Sequence, residues 1–204
     1  MRSVLVANPK GGCGKTTLAT NLAGYLASAR NVVCLWDLDR QHSALEWLRL
    51  RPEHLPPIIR LDERDSAPRK VEWLVLDSPA GLHGKRLSEM VRQSDKVLVP
   101  IQPSLFDISA TRDFLAELAE EKAVRKHKTF IGIIGSRVDP RTRAATQLIT
   151  YLREHDLPLV GWVRDTQLYA NAAFMGMSIF DLPAHQSERE AQFWQPIVDW
   201  LRKD

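Results

Sequence analysis

The chain reads as one α/β domain, a doubly wound, mostly parallel sheet with helices on both faces. Three observations predict this. Apolar runs alternate with amphipathic stretches from end to end. Within each run the apolar residues are consecutive rather than alternating, the pattern of strands buried on both faces. The connections are short, and no repeat, low-complexity tract or long linker interrupts them. A length of 204 residues suits a single well-buried core, so residues 1–204 form one unit.

Taken in order, the runs predict strands over 3–8, 31–36, 57–61, 71–76, 96–101, 129–135 and 158–163. The amphipathic stretches predict helices over 15–28, 42–50, 84–93, 107–126, 142–155, 166–174 and 188–202. Residues 62–70 (Asp-Glu-Arg-Asp-Ser-Ala-Pro-Arg-Lys) predict a polar loop.

The first strand runs into Asn-Pro-Lys-Gly-Gly-Cys-Gly-Lys-Thr-Thr at 8–17. The phosphate-loop pattern G-x-x-x-x-G-K-[ST] is met at Gly14, Lys15 and Thr16, with Pro9 where its first glycine stands. In such a loop the backbone N–H groups of Gly11, Gly12, Cys13 and Gly14 face phosphate oxygens. The helix beginning at Lys15 adds its positive N-terminal end. Lys15 bridges the β- and γ-phosphates, and the Thr16 hydroxyl ligates magnesium. Lys10 stands on the far side of the turn. It either reaches the phosphates of a facing subunit or is a solvated surface lysine.

Two more strands end in acids. Asn-Val-Val-Cys-Leu-Trp-Asp-Leu-Asp-Arg-Gln (31–41) puts Asp37 and Asp39 two residues apart, on one face of a strand end. The pair suits magnesium-bound waters and an attacking water, or else caps the next helix. Val-Glu-Trp-Leu-Val-Leu-Asp-Ser-Pro-Ala-Gly (71–81) ends in Asp77, which behind a phosphate loop reads as a magnesium-holding carboxylate. Farther on, residues 122–143 carry Lys122, Arg125, Lys126, Lys128, Arg137, Arg141 and Arg143 with Asp139 as the only acid. That cluster supplies sequence-independent contacts to duplex DNA, or is a solvated helix end.

Lys-Gly-Gly-Cys-Gly-Lys-Thr-Thr resembles the deviant Walker A box of the ParA/MinD family of ATPases, a branch of the P-loop NTPase architecture. The resemblance implies that Lys10 crosses the interface of an ATP-sandwich dimer, while Lys15, Thr16 and Thr17 serve their own nucleotide. Asp-Leu-Asp-Arg-Gln is similar to the family's Asp-x-Asp-Pro-Gln box, with Arg40 in the proline's place. By position, Asp39 orients the hydrolytic water and Asp37 assists at the metal shell. Asp77-Ser-Pro resembles the family's Asp-x-Pro motif, whose loop through Gly81 senses the γ-phosphate. Ser136–Arg143 looks like the loop after a late strand in short ParA proteins. It implies DNA contacts from Arg141 and Arg143 joined by Lys126 and Lys128. The family's adenine pocket, built from the ends of the last two strands, implies adenine contacts from Ser136, Arg137 and Arg164, with Ser136 replacing the usual asparagine. Residues 100–107 resemble a segment near the dimer face, or Ser104 caps a helix there. The likeness extends to Gly-Met-Ser-Ile-Phe at 176–180.

What the resemblance implies is a short ParA-type ATPase without an N-terminal helix-turn-helix domain, using ATP/ADP and Mg2+. It would form an ATP-bound homodimer, bind DNA non-specifically, and hydrolyse ATP slowly until a ParB-like or cargo-adaptor protein stimulates it. The cargo would be a plasmid, a chromosome or a large assembly such as a carboxysome or chemoreceptor cluster. Its place would be the cytoplasm, on the nucleoid. A MinD-like membrane-cycling regulator and a metabolic ligase similar to dethiobiotin synthetase are the alternatives.

Composition bounds the rest. Two cysteines, Cys13 and Cys34, argue for a reducing compartment and against a disulfide framework or an iron–sulfur relative. No apolar run approaches the roughly 20 residues of a membrane span. A first strand beginning almost at Met1 leaves no room for a signal peptide or leading DNA-reading domain. The last helix carries an apolar stripe of Phe193, Ile197, Trp200 and Leu201 among nearly balanced charges. This is the pattern of a core face and not of a lipid anchor, so no stable membrane association is expected. The six histidines lack metal-ligand spacing, and Ser78 and Ser104 have no base nearby in sequence.

Overall fold

A computed structural model describes residues 1–62 and 67–203 of the chain. Of the polar loop expected over 62–70, residues 63–66 lie outside the described residues, and 62 and 67–70 are neither helix nor strand. All seven expected strands form. They are β1 (Arg2–Val6), β2 (Val33–Asp37), β3 (Ile58–Leu61), β4 (Trp73–Asp77), β5 (Lys96–Ile101), β6 (Phe130–Val138) and β7 (Leu159–Arg164). Every pairing among them is parallel, in the order β3-β2-β4-β1-β5-β6-β7. The chain winds outward from β1 in both directions, so the loop after β1 opens at the switch point of the sheet, where such folds bind ligands.

The helices are α1 (Lys15–Ser28), α2 (Ser43–Leu50), α3 (Gly84–Arg92), α4 (Leu105–Glu120), α5 (Lys122–Arg125), α6 (Arg143–Glu154), α7 (Gln167–Phe174) and α8 (Ala184–Arg202). Successive residues of β1 divide the core between two faces. Val4 and Val6 pack with Leu18 and Leu22 of α1, Trp47 of α2, and Trp194 and Ile197 of α8. Leu5 and Ala7 pack with Leu87 and Val91 of α3, Phe114 and Leu118 of α4, and Leu148 of α6. This two-sided burial is why the strands read as continuous apolar runs.

Two helices differ from expectation. The helix read over 107–126 is two, broken at Glu121, whose backbone is extended (ψ 132°). The Glu121 carboxylate accepts a hydrogen bond from Ser88 Oγ at 2.7 Å, which holds the break against α3. The upstream end is at 105 because Ser104 Oγ accepts from the Asp107 N–H, an N-cap. The last helix starts at 184 rather than 188, since its first turn (His185, Gln186) is polar and carries no apolar period. Of its stripe, Ile197 and Leu201 are buried, Trp200 packs partly buried against the core, and Phe193 is half-exposed; the neighbouring Trp194 is fully buried. Lys96 at the foot of β5 closes the end of α8, donating to the carbonyls of Trp200 and Leu201 at 2.7 and 3.1 Å.

The segment 176–181 is a brace for α1. Ser178 and Asp181 form a capping box around the turn Ile179–Asp181. Asp181 receives both terminal nitrogens of Arg51 at 3.0 Å in a buried pair. Ser178 sits so close to Gly24 that a Cβ there would lie 2.3 Å from its hydroxyl. Asn21 of α1 accepts the Ile179 N–H at 2.9 Å.

Candidate nucleotide site

The loop between β1 and α1 is held from four sides. Asn8 Oδ1 accepts the Lys10 N–H at 2.8 Å, and Asn8 Nδ2 donates to the Pro100 carbonyl at 2.9 Å. Gly81 N–H donates to the Pro9 carbonyl at 2.8 Å, and Gln102 Nε2 donates to the Gly12 carbonyl at 2.9 Å. Gly14 has φ +95°, and a Cβ on it would meet Ser136 Oγ at 2.6 Å. Only glycine combines that backbone with that approach. The loop therefore leads into α1 with its first N–H groups unclaimed by any side-chain cap.

The two lysines take different places. Lys15 is nearly buried (7 % exposed), and its Nζ donates to the Lys10 carbonyl at 2.9 Å inside the loop. The side chain of Lys10 is 36 % exposed and is paired with Asp107 of α4 at 2.7 Å. Asp107 is in turn bonded by Ser104 Oγ. Lys10 is thus neither free in solvent nor turned inward to its own loop. No sequence signal marked Asp107 as its partner.

Thr16 Oγ1 donates to Asp77 Oδ2 at 2.7 Å. The other oxygen, Asp77 Oδ1, is buried with no hydrogen-bond partner among the described residues. Burial pushes the Asp77 carboxyl up to about 7, against the Thr16 hydrogen bond, with the Asp37 charge adding to the rise. An orphaned buried oxygen beside a threonine hydroxyl suits a hydrated magnesium ion. Among the described residues no three His, Cys, Asp or Glu side chains converge on one point. Such an ion would complete its shell from phosphate oxygens and water, as magnesium on a nucleotide does, and would neutralise charge there.

The two acids at the end of β2 separate. Asp37 is buried, and its oxygens accept from the N–H groups of Asp39, Ala44 and Leu45 at 3.0, 2.9 and 3.1 Å, so it caps α2. Asp39 is half-buried, with its oxygens oriented by the N–H groups of Gln41 and Ala80 at 2.9 and 3.3 Å. Asp39 lines a cleft of about 860 Å³ that also holds Gly11, Gly12, Gly14, Lys15, Thr16 and Thr17. Arg137 lines it too, at a bulge of β6 with φ +52°. Arg40 and Arg86 line the same cleft and had no role by sequence, although Arg40 stands where a proline is usual. Among the described residues that line the cleft, Lys15, Arg40, Arg86 and Arg137 stand against one carboxylate, Asp39, which makes it electropositive, as a triphosphate requires.

Arg164 is placed elsewhere. It is clasped by Glu190 of α8 and lies 5.4 Å from the centre of the Phe193 ring. Nor do the basic residues of 122–143 form one patch. β6 runs for nine residues between them, about 26 Å at strand rise. Lys126 and Lys128 lie before its first end, and Arg141 and Arg143 lie beyond its last. Arg141 is doubly bonded to Asp139 at 3.0 and 2.9 Å, and those bonds lower the Asp139 carboxyl to about 2. Among the described residues, no helix is long and apolar enough to cross a membrane.

Known proteins resemble this chain over most of its length. The chain is 28% identical over 192 residues to "Maintenance of carboxysome distribution protein A" of Halothiobacillus neapolitanus, covering 89% of this chain and 88% of that one. It is 30% identical over 199 residues to the chromosome-partitioning ATPase Soj of Thermus thermophilus, covering 79% and 80%. An ATP complex of Cyanothece McdA superposes with TM-score 0.75 at 15% identity, covering 97% and 96% of the two chains. The model of the CobQ/CobB/MinD/ParA nucleotide binding domain matches residues 4–179. With the phosphate loop, the all-parallel order and a model that spans most of the sequence in agreement, the chain belongs to the ParA/MinD family of P-loop ATPases.

Proposed function

We propose that the protein is a ParA-type positioning ATPase. It binds ATP with Mg2+, closes into a homodimer, binds DNA without sequence preference, and moves a cargo through hydrolysis stimulated by an adaptor protein. The observation that carries this reading is the division of labour between the two lysines. Lys15 fills the interior of the loop, and Lys10 stands at its rim, held by Asp107 rather than by its own loop. A lysine in that position is available to the nucleotide of a second copy once Asp107 releases it.

Within each subunit, the N–H groups of Gly11, Gly12, Cys13 and Gly14 receive phosphate oxygens, with Lys15, Thr16 and Thr17 alongside. Asp77 holds the metal through its unpartnered oxygen. Asp39 orients the attacking water, and Asp37 keeps Asp39 in place by fixing its N–H and the start of α2. Ser136 and Arg137 at the end of β6 are the adenine-side residues. Arg164 joins them only if it leaves Glu190. Relatives named for carboxysome distribution and chromosome partitioning support a positioning role. In this reading the protein works in the cytoplasm, on the nucleoid.

The test is the mobility of arbitrary duplex DNA with ATP, with ADP and without nucleotide, beside size-exclusion chromatography and an anionic-vesicle pull-down. An ATP-dependent DNA shift and an ATP-dependent dimer are expected. Lys10→Ala should lose the dimer while keeping ADP binding. A wild-type protein that shifts no DNA at low salt, or a Lys10→Ala protein that still dimerises, removes the corresponding part of the reading.

A further inference from the structure

Lys122, Lys126 and Lys128 do have basic neighbours, but from another helix. They share a groove of about 670 Å³ with Lys85 and Arg92 of α3. Two carboxylates stand among these five cations, and one of them, Glu121, is already engaged by Ser88. None of the five cations is ion-paired among the described residues, whereas Arg51, Arg141 and Arg164 are each clasped by a carboxylate. Five unpaired like charges around a concavity repel one another until a polyanion neutralises them.

We propose that this groove between α3 and α5 receives the phosphate backbone of duplex DNA, an inference that rests on the DNA-binding reading above. The chemistry of the walls selects the ligand. Among the described residues no aromatic ring and no side-chain amide lines the groove, so it offers neither a stacking platform for single strands nor a fork for base edges. Among the described residues its one apolar lining residue is Ala123, too little to enter a bilayer. What remains is a set of point charges on two walls, suited to phosphate contacts alone.

The groove is also wired to the nucleotide. His83 and Arg86 at the start of α3 line the phosphate cleft, and Lys85, Ser88 and Arg92 of the same helix line the groove. Two hydrogen bonds leave α3, one to Glu117 of α4 and one to Glu121 on the opposite wall. Gly84 N–H donates to Glu117 Oε1 and Ser88 Oγ to Glu121 Oε1, each at 2.7 Å. A nucleotide that moves the loop before α3 changes the spacing of the two cationic walls, and this gives DNA binding its dependence on ATP.

The experiment is fluorescence anisotropy of a labelled duplex of arbitrary sequence with ATP, over a salt series, with nucleotide binding measured separately for each protein. The proteins are wild type, Lys122→Ala/Lys126→Ala on one wall, Lys85→Ala/Arg92→Ala on the other, and Arg141→Ala/Arg143→Ala beyond β6. Each lost phosphate contact lowers the slope of log K against log salt by about 0.9. Either groove double variant should therefore lose about 2 from the slope and bind at least about tenfold more weakly at low salt. The Arg141/Arg143 variant should lose less. If wild type binds DNA and both groove variants keep its slope, the groove is refuted while the DNA reading stands. If wild type binds DNA in no nucleotide state, the DNA reading falls and the groove falls with it. Loss of anionic-vesicle binding in the groove variants, with no wild-type affinity for DNA, assigns the surface to lipid and overturns the proposal.

Discussion

Replacing Asp77 with asparagine separates the charge of the carboxylate from its shape. Its carboxyl rises from 3.8 to about 7 because burial strips water from the ionised form. The folded protein therefore keeps a proton that the unfolded chain releases between about pH 4 and 7, and wild-type stability falls as pH rises through that window. Three pKa units correspond to about 4 kcal/mol, complete only above pH 7. Near pH 5 the cost is about 2 kcal/mol, because there the unfolded carboxylate is ionised and the folded one is not. The asparagine carbonyl can still accept the Thr16 hydroxyl, and any packing cost is the same at both pH values. Urea unfolding without nucleotide or divalent ions, at pH 5 and pH 8, should show the Asp77→Asn protein gaining about 2–3 kcal/mol more over wild type at the higher pH. An advantage that does not change with pH would mean that Asp77 is not a buried, high-pKa carboxyl.

Arg51→Ala leaves Asp181 buried without its partner and should cost about 3–5 kcal/mol in denaturant unfolding. Burial raises the Asp181 carboxyl, but the bonds from Arg51 and Ser178 outweigh it and hold the group below its ordinary value. Its stabilising contribution is thus present above about pH 4 and lost as pH falls through the folded value. The penalty of Asp181→Asn should shrink in acid. An equal penalty at pH 3 and pH 7 would contradict this. Gly24→Ala drives a methyl against Ser178 and should cost about 1–3 kcal/mol, read as a lower thermal midpoint. An unchanged midpoint would show that the turn at 178–181 yields freely.

What was legible in the sequence was what is local along the chain. The phosphate loop, its lysines and Thr16 lie within one strand–turn–helix unit, and the strands announce themselves because each is buried on both faces. The break at Glu121 was hidden because no glycine or proline marks it and its cause, Ser88, lies on another helix. Asp37 and Asp39 looked equivalent in a period-two strand. They diverge because the chain turns between them, sending one to the helix start and the other to the cleft. Lys10 and Asp107 are 97 positions apart, and only the packing of α4 against the loop joins them. The basic run of 122–143 misled most. Nearness in sequence meant nothing across a nine-residue strand, and its real neighbours, Lys85 and Arg92, lay some thirty residues upstream.

The brace on α1 leaves a spectroscopic handle. The Ile179 amide is buried and gives its proton to the side chain of Asn21, not to a backbone ladder. Its hydrogen-exchange rate therefore reports one event, the seating of α1 against the 178–181 turn, independently of the sheet. Because α1 begins with Lys15 and Thr16, this single amide, two helical turns from the phosphates, is a remote gauge of whether the loop is filled.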